Sequence, residues 1–421
     1  MSILLRKVKI IDSKSPYNGF VKDVLINNDQ IVQIDDYIEA SARKVIEEDG
    51  LCVSPGWFEM HANFCDPGNE HKEDIDSGSS AAVFGGFTAV ALSPETEPVI
   101  QTKNDIEYLY KKSESQPINI YPLGASTTNL KGKELTELYD MHQAGAIGFY
   151  NGKMAIQNPN IQKLVLLYTR TFQAPVMIFP NETELSDQGQ MNEGELSTSL
   201  ALKGIPNLSE EISINRDLYV AEYAESPVHF ACISTAGSVK LIRDAKERGV
   251  SVTCSVNLYN LVLTDEVLST YDTRYKVMPP IRNETDRSAL IYGIKDGTID
   301  AISIDHIPQD IEVKKCEFEN AAFGMRGLET AFGIYGKYLS KDINLEKWVD
   351  LISHNPREIL DAPRISLNEG NIAELSLFKL KPNWTLNEEK IKLRSKNNPF
   401  AHEELTGKPF GIINKGVFHS A

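Results

Sequence analysis

Cysteine is scarce in this sequence, and its cysteines are not arranged in pairs. The chain has five cysteines in 421 residues, and none of them forms a CxxC motif. An odd number of cysteines spread over a chain of this size argues against a disulfide framework. We therefore expect free thiols in a reducing compartment. The five are Cys52, Cys65, Cys232, Cys254 and Cys316.

Long apolar runs are also missing. The N-terminal segment MSILLRKVKI has only a short apolar run before Arg6 and Lys7, too short for the core of a signal peptide. Nowhere is there an uninterrupted apolar stretch long enough to span a bilayer. These absences predict a cytoplasmic protein.

Basic clusters are the third absence. The chain has 59 acidic residues against 43 lysines and arginines, a formal net charge of -16, and no block rich in Lys or Arg. The negative electrostatic potential of such a chain repels the phosphate backbone of nucleic acids and anionic lipids. We expect neither nucleic acid nor membrane as a partner.

The chain does have enough apolar residues, 41% of the total, to bury a large core. Residues 1–52 contain short alternating strand patterns, for example around Val24 and Ile26, and β character returns after Asn355 and Pro356. We expect the two ends, 1–52 and 365–421, to pair into one small β-sandwich.

Between these ends, apolar strand segments alternate with helical ones. About eight strands separated by helices predict a TIM (β/α)8 barrel over 53–364. Predicted strands after the first lie at 87–92, 118–124, 146–150, 174–179, 226–231, 250–256 and 301–306. Predicted helices lie at 101–112, 160–172, 209–224, 236–248 and 284–295.

Motifs along nearly the whole chain resemble the dihydroorotase family of the amidohydrolase superfamily. They occur in the family's order, and many keep the glycines and prolines that set turns. They are VSPGWF (53–58), EMHAN (59–63), DPG (66–68), KED (72–74), GGFT (85–88), IST (233–235), YKVMPPIR (275–282), GTID (297–300), IDHIP (304–308) and NNPF (397–400).

The resemblance implies hydrolysis of a cyclic amide by a metal-bound hydroxide, with the metal ligands at the carboxyl ends of the barrel strands. Only two of the six ligand positions, His61 and Asp305, keep the family's residue. The other four carry Asn63 for the second histidine of a His-x-His pair, Asn151 for the bridging carboxylate or carboxylated lysine, and Phe179 and Cys232 for two further histidines.

The positions that hold dihydroorotate in the family have changed as well. Cys65 replaces an arginine, Glu95 and Met278 replace asparagines, and Gln309 replaces a histidine. A site without the arginine and with Glu95 would repel an anionic substrate. We therefore expect no residue of the family's substrate site to remain functional.

One interpretation of the surviving residues is a residual metal site. Thiolate, imidazole and carboxylate all suit zinc, so His61, Cys232 and Asp305 could hold one ion, with Asp305 as a vestigial catalytic residue. The alternative is that His61 and Asp305 are hydrogen-bonded polar groups below the barrel mouth. We expect no cofactor, or at most one zinc.

Three other groups of residues are interpreted as structural. Cys65 lies about 13 Å along the strand from His61, too far for a nucleophile and its base. His229 is expected to be a hydrogen-bonded structural histidine, and His306 to point away from the barrel interior. Residues 71–74 are expected to form a solvated loop.

The leading hypothesis is a non-catalytic dihydroorotase-like protein of pyrimidine biosynthesis. As the family's inactive members imply, it would act as a structural partner of aspartate transcarbamoylase, and the resemblance also implies a homo-oligomer. One alternative is an active dihydroorotase or other cyclic amidase with a single zinc. The other is a regulatory barrel that binds a neutral or cationic ligand, given Glu95.

Overall fold

Both ends of the chain contribute to one eight-stranded sheet in the computed structural model, which describes residues 2–387 and 394–421. The strand order is β18-β17-β16-β5-β1-β2-β3, and β4 also pairs with β1. The strands are β1 Ser2–Ile10, β2 Val21–Asn27, β3 Gln30–Asp35, β4 Lys44–Glu47, β5 Leu51–Pro55, β16 Leu375–Trp384, β17 Leu405–Asn414 and β18 Val417–Ser420.

The N- and C-terminal segments meet where β16 runs antiparallel to β5, with Leu377 opposite Val53. Buried Ile, Val and Leu side chains from both segments share one apolar core, which the period-2 pattern predicted. The predicted sheet of the two termini is thus confirmed. The domain limits at 52/53 and 364/365 stay a prediction.

Eight parallel strands form a nearly closed barrel in the order β15-β14-β13-β10-β9-β8-β7-β6. The barrel closes just beyond its first and last strands, where the backbone N–H of Asn63 donates to the backbone carbonyl of His306 at 2.9 Å. The predicted TIM barrel is confirmed. The strands are β6 Trp57–Ala62, β7 Phe87–Leu92, β8 Asn119–Ala125, β9 Gly148–Tyr150, β10 Val176–Ile178, β13 Val228–Ile233, β14 Val252–Asn257 and β15 Ala301–Ser303.

Helices follow the barrel strands, and several begin at side chains that accept a hydrogen bond from the first turn, as Thr102, Thr235 and Asn283 do. They are α1 Ile75–Gly85, α2 Lys103–Ser113, α3 Leu138–Gln143, α4 Pro159–Arg170, α5 Thr183–Ser186, α6 Glu195–Ser199, α7 Asn207–Ala224, α8 Ala236–Glu247, α9 Leu258–Val262, α10 Glu284–Lys295, α11 Ile311–Lys314, α12 Ala331–Ile334, α13 Leu345–Val349 and α14 Asn355–Ile359.

Shorter elements complete the chain. Two strands, β11 Met191–Asn192 and β12 Gly204–Ile205, pair in parallel away from the barrel. Two π-helical turns lie at Tyr335–Leu339 and Asp350–His354. Turns of 3-10 helix lie at Thr128–Leu130, Asp265–Thr270, Thr273–Tyr275, Phe318–Asn320 and Leu328–Thr330. Within the described residues, we find no helix with the length and apolar character needed to cross a membrane.

A buried polar network joins the terminal sheet to the barrel. Glu374, immediately before β16, accepts hydrogen bonds from the Thr88 hydroxyl at 2.7 Å, from the Asn119 amide at 2.9 Å and from the Arg357 guanidinium. Arg357 is 1% exposed and Glu374 is 3% exposed. Because neither charge reaches water, each depends on the other for its stabilisation.

Replacing Glu374 by alanine should therefore lower the free energy of unfolding by about 3–5 kcal/mol, since it leaves the Arg357 charge buried and unpaired. Urea unfolding followed by circular dichroism measures this loss. Glu47→Ala, which removes an exposed ion pair with Lys7, is the matched control and should cost far less, because water already stabilises both charges. Equal losses in the two variants would contradict the network.

Candidate functional site

Three strand ends bring the predicted residual ligands together at the carboxyl end of the barrel, here called the barrel mouth. His61 lies near the end of β6, Cys232 lies near the end of β13, and Asp305 follows β15 by two residues. One ligand atom from each lies within 4.8 Å of the others, and all three side chains are buried. The structure therefore assembles the residues that the sequence analysis grouped.

His61 lies between the other two residues and faces them with different ring nitrogens. Its Nε2 atom is 3.3 Å from the Cys232 Sγ atom, and its Nδ1 atom is 3.6 Å from Asp305 Oδ1. Burial raises the pKa of the Cys232 thiol well above its ordinary range. In the metal-free site the thiol is therefore protonated, and zinc binding by Cys232 would have to release that proton.

A lysine outside the predicted ligand positions lies at the centre of this site. The Lys153 ammonium donates to Asp305 Oδ2 at 2.6 Å and to the Met278 carbonyl. Burial lowers the pKa of Lys153, but the charge and hydrogen bond of Asp305 together with the charges of other nearby groups outweigh that effect and leave the pKa above its ordinary value. The site therefore contains its own cation.

Two neutral side chains complete the environment of Asp305. The Tyr259 hydroxyl donates to Oδ2 at 2.8 Å and the Asn257 amide donates to the same atom at 3.1 Å. Asp305 Oδ1 is buried and accepts no hydrogen bond from the residues that the structure describes. We call His61, Lys153, Cys232, Tyr259 and Asp305 the mouth cluster.

The amides at two lost ligand positions are used within the fold. Asn151 accepts from the Thr127 amide and hydroxyl at 3.2 and 2.7 Å, and donates to the carbonyls of Leu130 and Met154 at 3.1 and 2.6 Å. Asn63 follows the end of β6, donates to the Glu95 carbonyl, and accepts from a backbone amide two residues on. Both side chains are thus committed to hydrogen bonds inside the fold.

The replaced substrate positions are similarly engaged in internal contacts. Glu95 accepts from the Lys153 amide at 2.9 Å and from the Ser93 hydroxyl at 2.9 Å. Gln309 donates to the Phe323 carbonyl at 2.8 Å. Cys65 is buried, and burial raises the pKa of its thiol to about 12, which agrees with its assignment as a non-nucleophile.

The histidines interpreted as structural behave as expected. His229 is held between the hydroxyls of Thr253 and Ser255 at 2.9 and 3.0 Å, and burial lowers its pKa to about 3. The ring is therefore neutral and hydrogen-bonded. His306 accepts from the backbone amides of 327 and 328, outside the barrel interior.

The prediction that residues 71–74 form a solvated loop is wrong for Glu73 and Asp74. Asp74 is the N-cap of α1 and accepts from the Ser77 amide at 2.8 Å. This cap fixes the start of the helix and directs Glu73 inward, where it is fully buried, 3.5 Å from His306 Nε2. A capping box spaced at 74 and 77 was the signal that could have indicated this.

Lys153, Tyr259 and Asn257 are the site residues that sequence reasoning missed. Asn257 ends β14, so its position at a barrel strand end was a usable signal. Lys153 reaches the mouth because Gly152 has a left-handed backbone, with φ +60°. A Cβ atom at 152 would lie 2.2 Å from the Glu95 carboxyl carbon, so a side chain here would have to displace Glu95 as well as adopt a left-handed backbone.

These residues do not fit a two-zinc centre. Among the described residues, one group of three donors could hold a metal, so at most one zinc could bind. The Lys153 ammonium already lies 2.6 Å from Asp305, and a second cation beside it would be repelled. Hydrogen bonds and the ion pair with Lys153 hold Asp305 within this cluster.

Comparisons with known proteins agree with the fold and the motifs. A family model described as Dihydro-orotase-like matches residues 50–238. A dihydroorotase of Acetivibrio thermocellus is 37% identical over 417 residues, which cover 98% of each chain. A dihydroorotase of Carboxydothermus hydrogenoformans is 40% identical over 398 residues, covering 94% of this chain and 93% of its own.

The chain belongs to the dihydroorotase family. Among solved structures, an L-hydantoinase (dihydropyrimidinase) from Arthrobacter aurescens superposes with a TM-score of 0.88 at 20% identity, covering 99% of this chain and 96% of its own. A dihydropyrimidinase from Brevibacillus agri gives 0.84 at 19% identity, covering 99% and 95%. At these identities the likeness shows the shared barrel and sheet architecture alone. This dihydroorotase-family chain therefore shares its barrel and terminal sheet with these enzymes.

Replacing Gly152 by alanine should lower the free energy of unfolding by more than about 2 kcal/mol, since it adds a clash with Glu95 to the cost of a left-handed backbone. Chemical denaturation measures the loss. Gly50→Ala is the control, because Gly50 has φ +69° and open space around its Cβ position. A Gly152→Ala loss no larger than the control's would mean that the Glu95 contact contributes nothing.

Proposed function

We propose that this protein is a non-catalytic member of the dihydroorotase family that serves as a structural partner in pyrimidine biosynthesis. The observation that carries the proposal is the state of Asn151. The side chain at the expected bridging position is a neutral amide with four hydrogen bonds inside the fold. A neutral amide in that state cannot join two metal ions as an anion.

The chemistry of the mouth cluster supports the same conclusion. A bound metal would supply hydroxide at neutral pH and polarise the substrate carbonyl. Asp305 would have to exchange a proton, yet its Oδ2 atom already accepts from Lys153, Tyr259 and Asn257. The Oδ2 atom of Asp305 is thus engaged in structure, whereas Oδ1 has no hydrogen-bond donor among the described residues.

A single-zinc cyclic amidase is the second candidate. One observation favours it, namely that His61, Cys232 and Asp305 bring three donors of types that zinc accepts within 4.8 Å. In such an enzyme Asp305 would be both ligand and proton shuttle. A metal bound there would lie close to the Lys153 ammonium, which would repel it.

The hydrolysis and synthesis of dihydroorotate separate the two candidates. Purified protein incubated with zinc should give no turnover above a buffer control in either direction, because the hydroxide nucleophile has no source. Asp305→Asn is the control variant. Turnover that zinc stimulates and that Asp305→Asn abolishes would establish the single-zinc enzyme and overturn the proposal.

We further propose aspartate transcarbamoylase as the partner, on the basis of the role that the family resemblance implies for inactive members. Deleting this protein from its cell should shift that enzyme to a smaller assembly in size-exclusion chromatography, while a dihydroorotase activity supplied elsewhere persists. Re-expressing an Asp305→Asn variant should restore the larger assembly. An unchanged elution volume after deletion would contradict this partner.

A further inference from the structure

We infer that Lys153 is a tethered cation that replaces the metal charge at the barrel mouth and masks a latent single-zinc site. The inference deepens the proposed function and rests on it, since it explains how a metal-free mouth stays charge-balanced. The inference is drawn from the position, the contacts and the burial of the Lys153 ammonium group.

The Lys153 ammonium is surrounded by positions that carry metal or substrate ligands in the resemblance. It donates to Asp305 Oδ2 at 2.6 Å and to the Met278 carbonyl, and the Phe179 ring centroid lies 5.9 Å away. An aromatic face at that distance is favourable for a cation but offers no metal a lone pair. The three neighbours thus suit an ammonium, although Phe179 stands at a former histidine position.

Charge balance explains why a cation is needed at this point. Asp305 is 2% exposed, so water does not stabilise its carboxylate. A buried carboxylate persists only when it is paired and hydrogen-bonded, or when it binds a metal. Among the described residues, two side chains lie within ion-pair distance of Asp305: the imidazole of His61 and the ammonium of Lys153. Of these two, Lys153 is the lysine that supplies a full positive charge.

The backbone around Lys153 holds it in this position. Glu95 accepts from the Lys153 amide at 2.9 Å, and Gly152 provides the left-handed turn that brings the two together. The side chain is 15% exposed, so its length is directed into the protein. An exposed lysine would be free to swing away, whereas this one is fixed at both its backbone and its ammonium.

Removing the ammonium while keeping the three donors should expose the latent site. His61, Cys232 and Asp305 have ligand atoms within 4.8 Å of one another, and zinc binds such atoms at about 2.0–2.3 Å, so a small inward movement would complete a three-donor site. Without Lys153, Asp305 would also carry an unbalanced charge that favours a divalent ion.

The test compares wild-type protein with Lys153→Met, which keeps the side-chain length without the charge, and with Lys153→Arg, which keeps the charge. Each is incubated with zinc, desalted, and assayed for metal content and thermal midpoint. We expect less than a tenth of a zinc per chain in the wild type and in Lys153→Arg, and about one per chain in Lys153→Met. Zinc should raise the midpoint of Lys153→Met alone.

One zinc per chain in the wild type, or none in folded Lys153→Met, would overturn the inference. If Lys153→Met does not fold without zinc, Lys153→Met/Asp305→Asn removes both charges and should restore the thermal midpoint toward that of the wild type. No restoration would count against the charge-balancing role. Wild-type turnover of dihydroorotate, by contrast, would overturn the proposed function, so the two failures are distinguishable.

Discussion

The ion pair between Lys153 and Asp305 determines what the barrel mouth can do. Asp305 presents a carboxylate where water does not reach, and the Lys153 ammonium lies 2.6 Å from it. A buried charge of either sign would be costly alone, so each residue requires the other. The hydrogen bonds from Tyr259 and Asn257 satisfy the same Asp305 oxygen and hold the carboxylate in place.

Other features of the mouth follow from keeping that pair in place. Gly152 adopts a left-handed backbone that lets Glu95 bind the amide of Lys153. Asn151, one residue earlier, is fixed by hydrogen bonds to the loops around Thr127 and Met154. The residues of the mouth are therefore hydrogen-bonded mainly to one another. The barrel and the terminal sheet below them retain the family architecture.

The sequence alone was sufficient for the architecture and for the grouping of His61, Cys232 and Asp305 at the barrel mouth. Strand periodicity and the motifs at turns predicted the barrel, because alternating burial and glycine or proline turns are local properties that a sequence displays directly. His61, Cys232 and Asp305 could be grouped because barrel strand ends converge in space whatever their separation along the chain.

The rest of the site depended on information that no local pattern contains. Lys153 lies two residues from the expected ligand position, and only the φ of Gly152 directs it to Asp305. Glu73 was expected in solvent because charged residues usually are, yet the α1 cap at Asp74 turns it inward. In both cases the conformation of one backbone turn determines the position of the charged group of a long side chain.

The most direct measurement of the central claim is the thermal midpoint of the wild-type protein in a strong zinc chelator and in excess zinc. If the Lys153 ammonium supplies the positive charge at the mouth, the two midpoints should agree, because nothing that stabilises the fold is added or removed. A midpoint that falls in chelator and rises in zinc would contradict the account. It would show that a metal ion, rather than Lys153, balances Asp305.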